Sequence, residues 1–291
     1  MKNNGTLRII GLVLLVLVVS FIGVRLFAPA ASTQSLDLAH KILANKEIRV
    51  GYIAYPPGLI KDPNTGKLSG IFYDALNEAG NKLGVKVTWA GETTWGTMLE
   101  DVNSGKFDMI GSPVWQSSAR GTQVDFTRSL MYSVIAVFAR PNDHRFDNSY
   151  DAINSTNVTI SVIDGELAQS IAKQQFPNAK ILSLPQTADV SQDYLNVASG
   201  KADVVIEEIP TANDYLKNNP GSIRNVQPNN PLTINGNTML IPQNQPAFKE
   251  MLDTALGEEL NSGYIDTLIK KYETSPDSFY PVAKPFSLPQ N

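Results

Sequence analysis

The sequence predicts an α/β fold of two similarly built lobes, and three observations carry that prediction. From Glu47 onward short apolar strands alternate with helical segments, a pattern that builds mostly parallel sheets with helices on both faces. After Arg140-Pro141 the alternation begins again. Finally, Ser104-Gly-Lys-Phe-Asp-Met-Ile110 is echoed by Ser199-Gly-Lys-Ala-Asp-Val-Val205, with Ser-Gly-Lys and Asp at the same spacing, each copy closing a helix and opening a strand. Self-similarity at equivalent points of two series divides the chain into two units.

Taken in order, the chain opens with Lys2 and Arg8 ahead of an apolar run of 16 residues, Ile9–Val24, broken only by small Gly and Ser. The run is shorter than the roughly 20 residues of a spanning helix, and Ala28-Pro29-Ala30 suits a signal-peptidase cut. Arg25 and the following Leu26-Phe27 suit a retained anchor instead. Residues 1–30 are thus a signal peptide or an N-terminal membrane anchor, and either way the remainder is exported.

Thr33–Lys46 is a polar, then weakly amphipathic lead-in. Strand Ile48–Ile53 follows, then a Pro-Asn-Gly turn at Lys61–Lys67, and a helix over Gly70–Leu83 whose Ile71, Ala75, Leu76, Ala79 and Leu83 share one face. Next come strand Val85–Trp89, helix Thr94–Val102, strand Phe107–Ile110, ended by Gly111, Ser112 and Pro113, and strand Val134–Ala139. The second series reads strand Val158–Ile163, helix Glu166–Gln175, strand Lys180–Leu182, helix Ala188–Ala198, strand Ala202–Ile206 and helix Pro210–Lys217. A strand at Thr238–Pro242 and helices at Ala247–Leu260 and Tyr264–Tyr272 complete the pattern. The last 19 residues, 273–291, hold four prolines and read as a tail.

Composition narrows the function. With 42% hydrophobic and 18% charged residues, 291 residues suffice for one large or two medium globular domains. A net charge of −4 with no basic patch beyond the N-terminus argues against nucleic acid, and leaves the membrane to the N-terminal segment alone. The absence of cysteine excludes disulfides, thiolate metal sites, thiol nucleophiles and lipidated anchors. Only His40 and His144 are available for imidazole chemistry, both in linker or surface-loop contexts, so a histidine metal cluster or Ser-His-Asp triad has almost nothing to draw on. No cofactor is expected.

The stretch richest in chemistry is Gly111–Phe126, GSPVWQSSARGTQVDF, which sets Arg120 on a small-residue turn just after an apolar strand. A guanidinium at a strand end of an α/β sheet faces the crevice where such sheets bind ligands, and its fork matches a carboxylate. Glu208, directly after the apolar strand Ala202–Ile206, takes the corresponding place in the second series. Opposite charges from two lobes facing one cleft suit a zwitterion.

The segment Arg120-Gly-Thr-Gln-Val-Asp125-Phe126 resembles the one at the ligand-binding arginine of family 3 bacterial extracellular solute-binding proteins, the amino-acid-binding group of periplasmic receptors. Further pieces agree in order: Ile48-Arg-Val-Gly51, Tyr55-Pro-Pro57, Gly66-Lys-Leu-Ser-Gly70, Leu83-Gly-Val-Lys-Val87, Trp95, Ser104-Gly-Lys-Phe-Asp108, Phe176-Pro-Asn-Ala-Lys180 and Ser199-Gly-Lys-Ala-Asp203 leading to Glu208. The resemblance spans about residues 47 to 272. It implies a two-lobe periplasmic binding protein-like fold of type II with a two-segment hinge, lobe 1 at 47–138 plus 239–272, lobe 2 at 139–238, and crossings near 138–143 and 235–239. It also implies that Arg120 holds a ligand carboxylate with help near Ser117, that Glu208 holds the amino group, and that Trp95 covers the ligand. Tyr55 is a second candidate wall. An ABC transporter permease is the implied partner, the periplasm the implied location, and a monomer the implied state.

Several departures bear on the ligand. Pro113 and Trp115 stand where relatives carry small hydroxyl residues, and Gly165-Glu166-Leu167 replaces Gly, a small residue and Thr. Glu166 thereby offers the cleft a second carboxylate, or else only meets a helix dipole. A primary ammonium loses acceptors here, whereas a substituted or quaternary amine gains an indole face if Trp115 points inward. Asp74 reads as structural. The expected function is capture of a small carboxylate-bearing, cationic metabolite by cleft closure, without chemistry. The alternatives are a cyclohexadienyl dehydratase-like enzyme on the same scaffold, using Glu166 or Glu208 as an acid, and a tethered sensory binding protein.

Overall fold

The computed structural model describes residues 37–273 and 279–282; the expected signal peptide or anchor lies outside them. In chain order the elements are α1 (Leu38–Asn45), β1 (Glu47–Tyr52), β2 (Ile60–Lys61), β3 (Leu68–Ser69), α2 (Ile71–Leu83), β4 (Lys86–Glu92), α3 (Met98–Asn103), β5 (Met109–Trp115), α4 (Ser118–Gly121), β6 (Val124–Phe126) and β7 (Met131–Ala139). They continue through a 3-10 turn at Tyr150–Ile153, then β8 (Thr159–Ile163), α5 (Leu167–Gln175), β9 (Lys180–Leu184), α6 (Ser191–Ala198), β10 (Val204–Glu208), α7 (Ile209–Asn218), β11 (Arg224–Asn225), β12 (Thr233–Pro242), α8 (Pro246–Asn261), α9 (Tyr264–Tyr272) and β13 (Phe279–Pro281).

The main path of the principal sheet runs β4-β1-β5-β12-β7-β10-β8-β9. Its two halves mirror each other in construction. β4, β1 and β5 are parallel and bordered by antiparallel β12; β9, β8 and β10 are parallel and bordered by antiparallel β7. The two lobes join where Met131–Asn237, Ser133–Asn235 and Ile135–Thr233 pair between β7 and β12. This is the two-lobe fold the sequence predicts, with helices packed on both faces of each half.

The sequence echo has a structural counterpart. Asp108 and Asp203 each exchange main-chain bonds with the strand beside them: Asp108 N donates to Arg49 O and Arg49 N to the Asp108 carboxylate, while Asp203 N donates to Thr159 O and Thr159 N to the Asp203 carboxylate. Each carboxylate also meets arginine, Arg49 in one lobe and Arg140 with Arg145 in the other. Gly105 and Gly200 take φ values of 75° and 80°, the left-handed conformation that lets the helix turn into the strand at minimal steric cost.

Four expectations at the level of elements change. Gly111, Ser112 and Pro113 do not end a strand but continue it, all buried within β5. Pro113 is tolerated because β12 pairs irregularly there, passing from Val114–Thr238 directly to Ile110–Leu240, so no ladder donor is required of it. Ser112 Oγ ties this stretch to β1's end by accepting from Ile53 N and donating to Ile53 O, both at 2.7 Å. Residues 135–139 pair with β10 and pack with the core of that half, whereas Leu130 and Met131 pack with the other, so the first crossing runs through β7 ahead of 138–143. The lead-in contains α1, which buries Ala39 and Ile42. The tail returns as β13 along Met131–Ser133, burying Phe279.

Candidate functional site

Strand period places the acids. In β10, Val204 and Ile206 pack beside Trp115, and Val205 packs with Tyr194 on the opposite face. Glu208 therefore faces Trp115, and Glu207 faces the other way. Both are only 1% exposed. Glu207 lines a cleft whose other walls are Tyr55, Trp95, Pro113, Trp115, Arg120, Glu166 and Leu167, enclosing about 280 Å³ of empty space including its open mouth.

Arg120 enters from the other side. Ser117 caps the single-turn helix α4, its Oγ accepting from Arg120 N at 3.2 Å, which turns the guanidinium back beneath the end of β5. There Nη1 donates to Trp115 O (3.1 Å) and Nη2 reaches Gly165 O (2.9 Å). Burial lowers the guanidinium to about 10, opposed by Glu166. It stays charged at neutral pH, with further N–H donors left for a ligand.

Two more contacts bring the lobes together. Tyr55, pinned by reciprocal main-chain bonds with Leu59, donates its hydroxyl to Glu207 Oε2 (3.0 Å), and Thr94 Oγ1 donates to Gln186 Oε1 (3.0 Å). Gly165, at φ 87°, lies so close to Gly96 that a Cβ would come within 2.9 Å of the Gly96 nitrogen. No larger residue fits there without backbone displacement. The cleft is closed.

The acids outnumber the cation: Glu166 and Glu207 line the cleft with one guanidinium, and Glu208 is buried beside them. Glu207 Oε2 also accepts from Glu208 N (2.7 Å). Burial, then the charge of Glu208, raises the Glu207 carboxyl. Glu166 is raised well above the ordinary range, by burial and then by Glu207 and Asp193, with Arg120 opposing. Glu166 is 6% exposed, and its carboxylate makes no hydrogen bond among the described residues, not even to its own helix end. Burial raises Glu208 to about 7, partly offset by bonds from Ser133 and Trp115. Near Glu207, Asp193 accepts from Ser161 and is pushed up to about 6 by burial, and the Tyr194 hydroxyl is buried without a partner among the described residues.

The structure thus brings Tyr55, Trp95, Trp115, Arg120 and Glu166 to one cleft. Trp115 points inward, 8% exposed, and Tyr55 meets Trp95 edge-on at 5.7 Å. Two candidates stand apart from the walls. Ser117 is occupied as a helix cap and borders a separate groove with Gln116, Lys249 and Asp253, and Glu208 lies at the N–H edge of Trp115. Asp74 binds Lys271 and Tyr272, far in sequence and outside the cleft. No group of three or more His, Asp or Glu side chains able to hold a metal occurs among the described residues. Glu207 was missed by sequence reasoning, although two acids ending an apolar strand must face opposite ways.

Comparison with known proteins agrees with this architecture. The model of bacterial extracellular solute-binding proteins, family 3, matches residues 48–275. A probable histidine-binding protein of Campylobacter jejuni is 26% identical over 257 residues, covering 88% of this chain and 96% of that protein. The crystal structure of an ancestral amino-acid-binding protein, a precursor of cyclohexadienyl dehydratase, superposes with a TM-score of 0.69 at 25% identity, over 81% of this chain and 99% of the other. A binding component of an ABC transporter from Wolinella succinogenes, complexed with lysine, gives 0.69 at 23% identity, over 79% and 97% of the two chains.

Proposed function

The chain belongs to the family 3 bacterial extracellular solute-binding proteins, and from that premise we propose that it captures a small solute carrying both a carboxylate and a cationic nitrogen. Arg120 receives the carboxylate. Glu166 and Glu207 face the cation, and Tyr55, Trp95, Trp115, Pro113 and Leu167 exclude water around it. The observation that carries this reading is the surplus of buried carboxyls over cations, since a closed cleft lined by Glu166 and Glu207 with one guanidinium, and with Glu208 buried beside it, is neutralised by a positively charged guest or by protons. The names of the relatives, histidine-binding and lysine-complexed, fit such a guest.

The lobes are proposed as residues 47 to the middle of β7 plus 239–272, and the intervening segment to 238. They close about β7 and β12. The N-terminal segment exports the chain to the periplasm, where it delivers the solute, as a monomer, to an ABC importer. A purely binding role is proposed. One observation favours a second reading: carboxyls buried in a cleft, where burial raises their hold on a proton, are suited to general-acid catalysis, as in a cyclohexadienyl dehydratase.

One experiment separates the two. Thermal unfolding and calorimetry are run with the standard amino acids, glycine betaine and N-alkylated amino acids, and the same preparation is offered prephenate. The binding reading predicts stabilisation, about 2.7 kcal/mol at a hundredfold excess over Kd, by cationic or N-alkylated solutes. Neutral and acidic amino acids leave the midpoint unmoved. Cofactor-free conversion of prephenate to phenylpyruvate overturns the non-enzymatic part.

A further inference from the structure

Where the two lobes meet, four strands each contribute one buried polar side chain to a closed circuit. Trp115 of β5 donates its indole N–H to Glu208 Oε1 of β10 (2.9 Å) and to Asn237 Oδ1 of β12 (3.0 Å). Ser133 of β7 donates to the same Glu208 oxygen, and Asn237 Nδ2 donates to Ser133 Oγ at 2.8 Å. Trp115, Ser133, Glu208 and Asn237 are 8%, 0%, 1% and 1% exposed. An indole has one donor and no acceptor, so these acceptors fix the orientation of the ring within its site. The ring so held walls the cleft, and Glu208, at its N–H edge, does not line it.

We propose that Glu208 is a positioning residue that holds the Trp115 indole against the cleft, and that the solute's cation is met by Glu166 and Glu207 instead. This rests on the solute-binding reading above. Glu208 Oε1 is held by two buried donors, the indole N–H and the Ser133 hydroxyl, which an ammonium there would leave without partners, and Oε2, in no hydrogen bond among the described residues, belongs to a side chain that does not line the cleft. Glu166 asks no such exchange, because its carboxylate has no hydrogen-bond partner among the described residues to surrender. Glu207 has Oε2 engaged by Tyr55 and the Glu208 amide, and Oε1 in no hydrogen bond among the described residues. A positioning role needs the acceptor geometry of Glu208 rather than its charge. Glutamine supplies the same oxygen; alanine does not.

The test joins a ligand-free readout to a binding one. Nitrogen-15 indole spectra of the unliganded protein, with the Trp115 resonance identified by its loss in Trp115→Phe, report the ring directly. Calorimetry with L-histidine, L-lysine and glycine betaine reports affinity. Glu208→Ala is expected to shift the Trp115 resonance, speed its exchange with water and weaken the titrant that binds by about tenfold, and Glu208→Gln to recover the resonance and most of the affinity. Glu166→Gln and Glu207→Gln are expected to lose about tenfold with the resonance in place. If Glu208→Ala does not fold, Glu208→Gln and a cycle with Trp115→Phe still decide: on that background Glu208→Gln is expected to add no further loss. The proposal is overturned if Glu208→Gln binds at least as weakly as Glu166→Gln while the Trp115 resonance stays put, which makes Glu208 a direct partner. If none of the three titrants binds the wild type, the solute-binding reading fails separately, and an unmoved indole resonance in Glu208→Ala still refutes the positioning role.

Discussion

The lobes are built alike where their strands begin and differently where they end. At the beginnings, Asp108 and Asp203 perform one structural task with one set of bonds: each accepts the main-chain N–H of the neighbouring strand and pairs with arginine. At the ends, β5 delivers Trp115 and, through α4, the guanidinium of Arg120, whereas β10 delivers Glu207 and Glu208 and the start of α5 delivers Glu166. The shared half of the pattern is architecture. The unshared half is charge, positive on one wall and negative on the other, and charge of opposite sign on two closing walls selects what is enclosed between them.

Breaking the charge difference is expected to have the largest effect. Arg120→Ala removes charge-assisted bonds worth about 1.5–3 kcal/mol each and should weaken solute binding by at least about tenfold in calorimetry. Arg120→Lys should recover only part, since an ammonium cannot reproduce the fork. Wild-type affinity in both variants refutes the assignment of the carboxylate to Arg120.

The symmetrical half is tested by stability rather than binding. Asp108→Asn and Asp203→Asn should each lower the unfolding free energy by about 1–2 kcal/mol with solute affinity nearly intact. Asp108, with side-chain exposure of 4% against 19% for Asp203, should cost more. A loss confined to one of the pair breaks the equivalence drawn between the lobes.

A smaller effect appears in pH dependence. Glu208 and Asp193, raised to about 7 and about 6 by burial, hold more protons in the folded than in the unfolded protein. Their favourable contribution is complete below their unfolded values and is lost as pH rises through the folded ones. The melting midpoint of ligand-free protein should therefore fall between about pH 5 and 8, whereas affinity for a cation should rise over the same window. A midpoint that rises across it contradicts the picture of protons held by the acid wall.

Much of this was legible in the sequence. Strand and helix alternation, the Ser-Gly-Lys-x-Asp echo and the Arg120 turn are local signals, and they give the two-lobe fold and the residue at one end of the cleft. What was not legible depends on pairing between distant segments. Gly111-Ser-Pro113 has the composition of a turn, yet it runs extended between the β12 pairings of Ile110 and Val114; a tail of three paired residues, Phe279–Pro281, has too little pattern to announce β7 as its partner. Glu208 is the acid at the family position, and nothing in the sequence marks Glu207. The period-two geometry of β10, combined with Trp115 on one face, assigns the cleft to Glu207.

The central claim, that the closed cleft selects positive charge, is tested most directly by matched pairs of solutes in thermal unfolding: L-lysine against L-norleucine, and glycine betaine against 3,3-dimethylbutanoate, in which carbon replaces the quaternary nitrogen. The account predicts that the member bearing the extra cationic nitrogen raises the midpoint and the counterpart lacking it does not, with at least about a tenfold difference in affinity. Equal stabilisation by both members of a pair contradicts it.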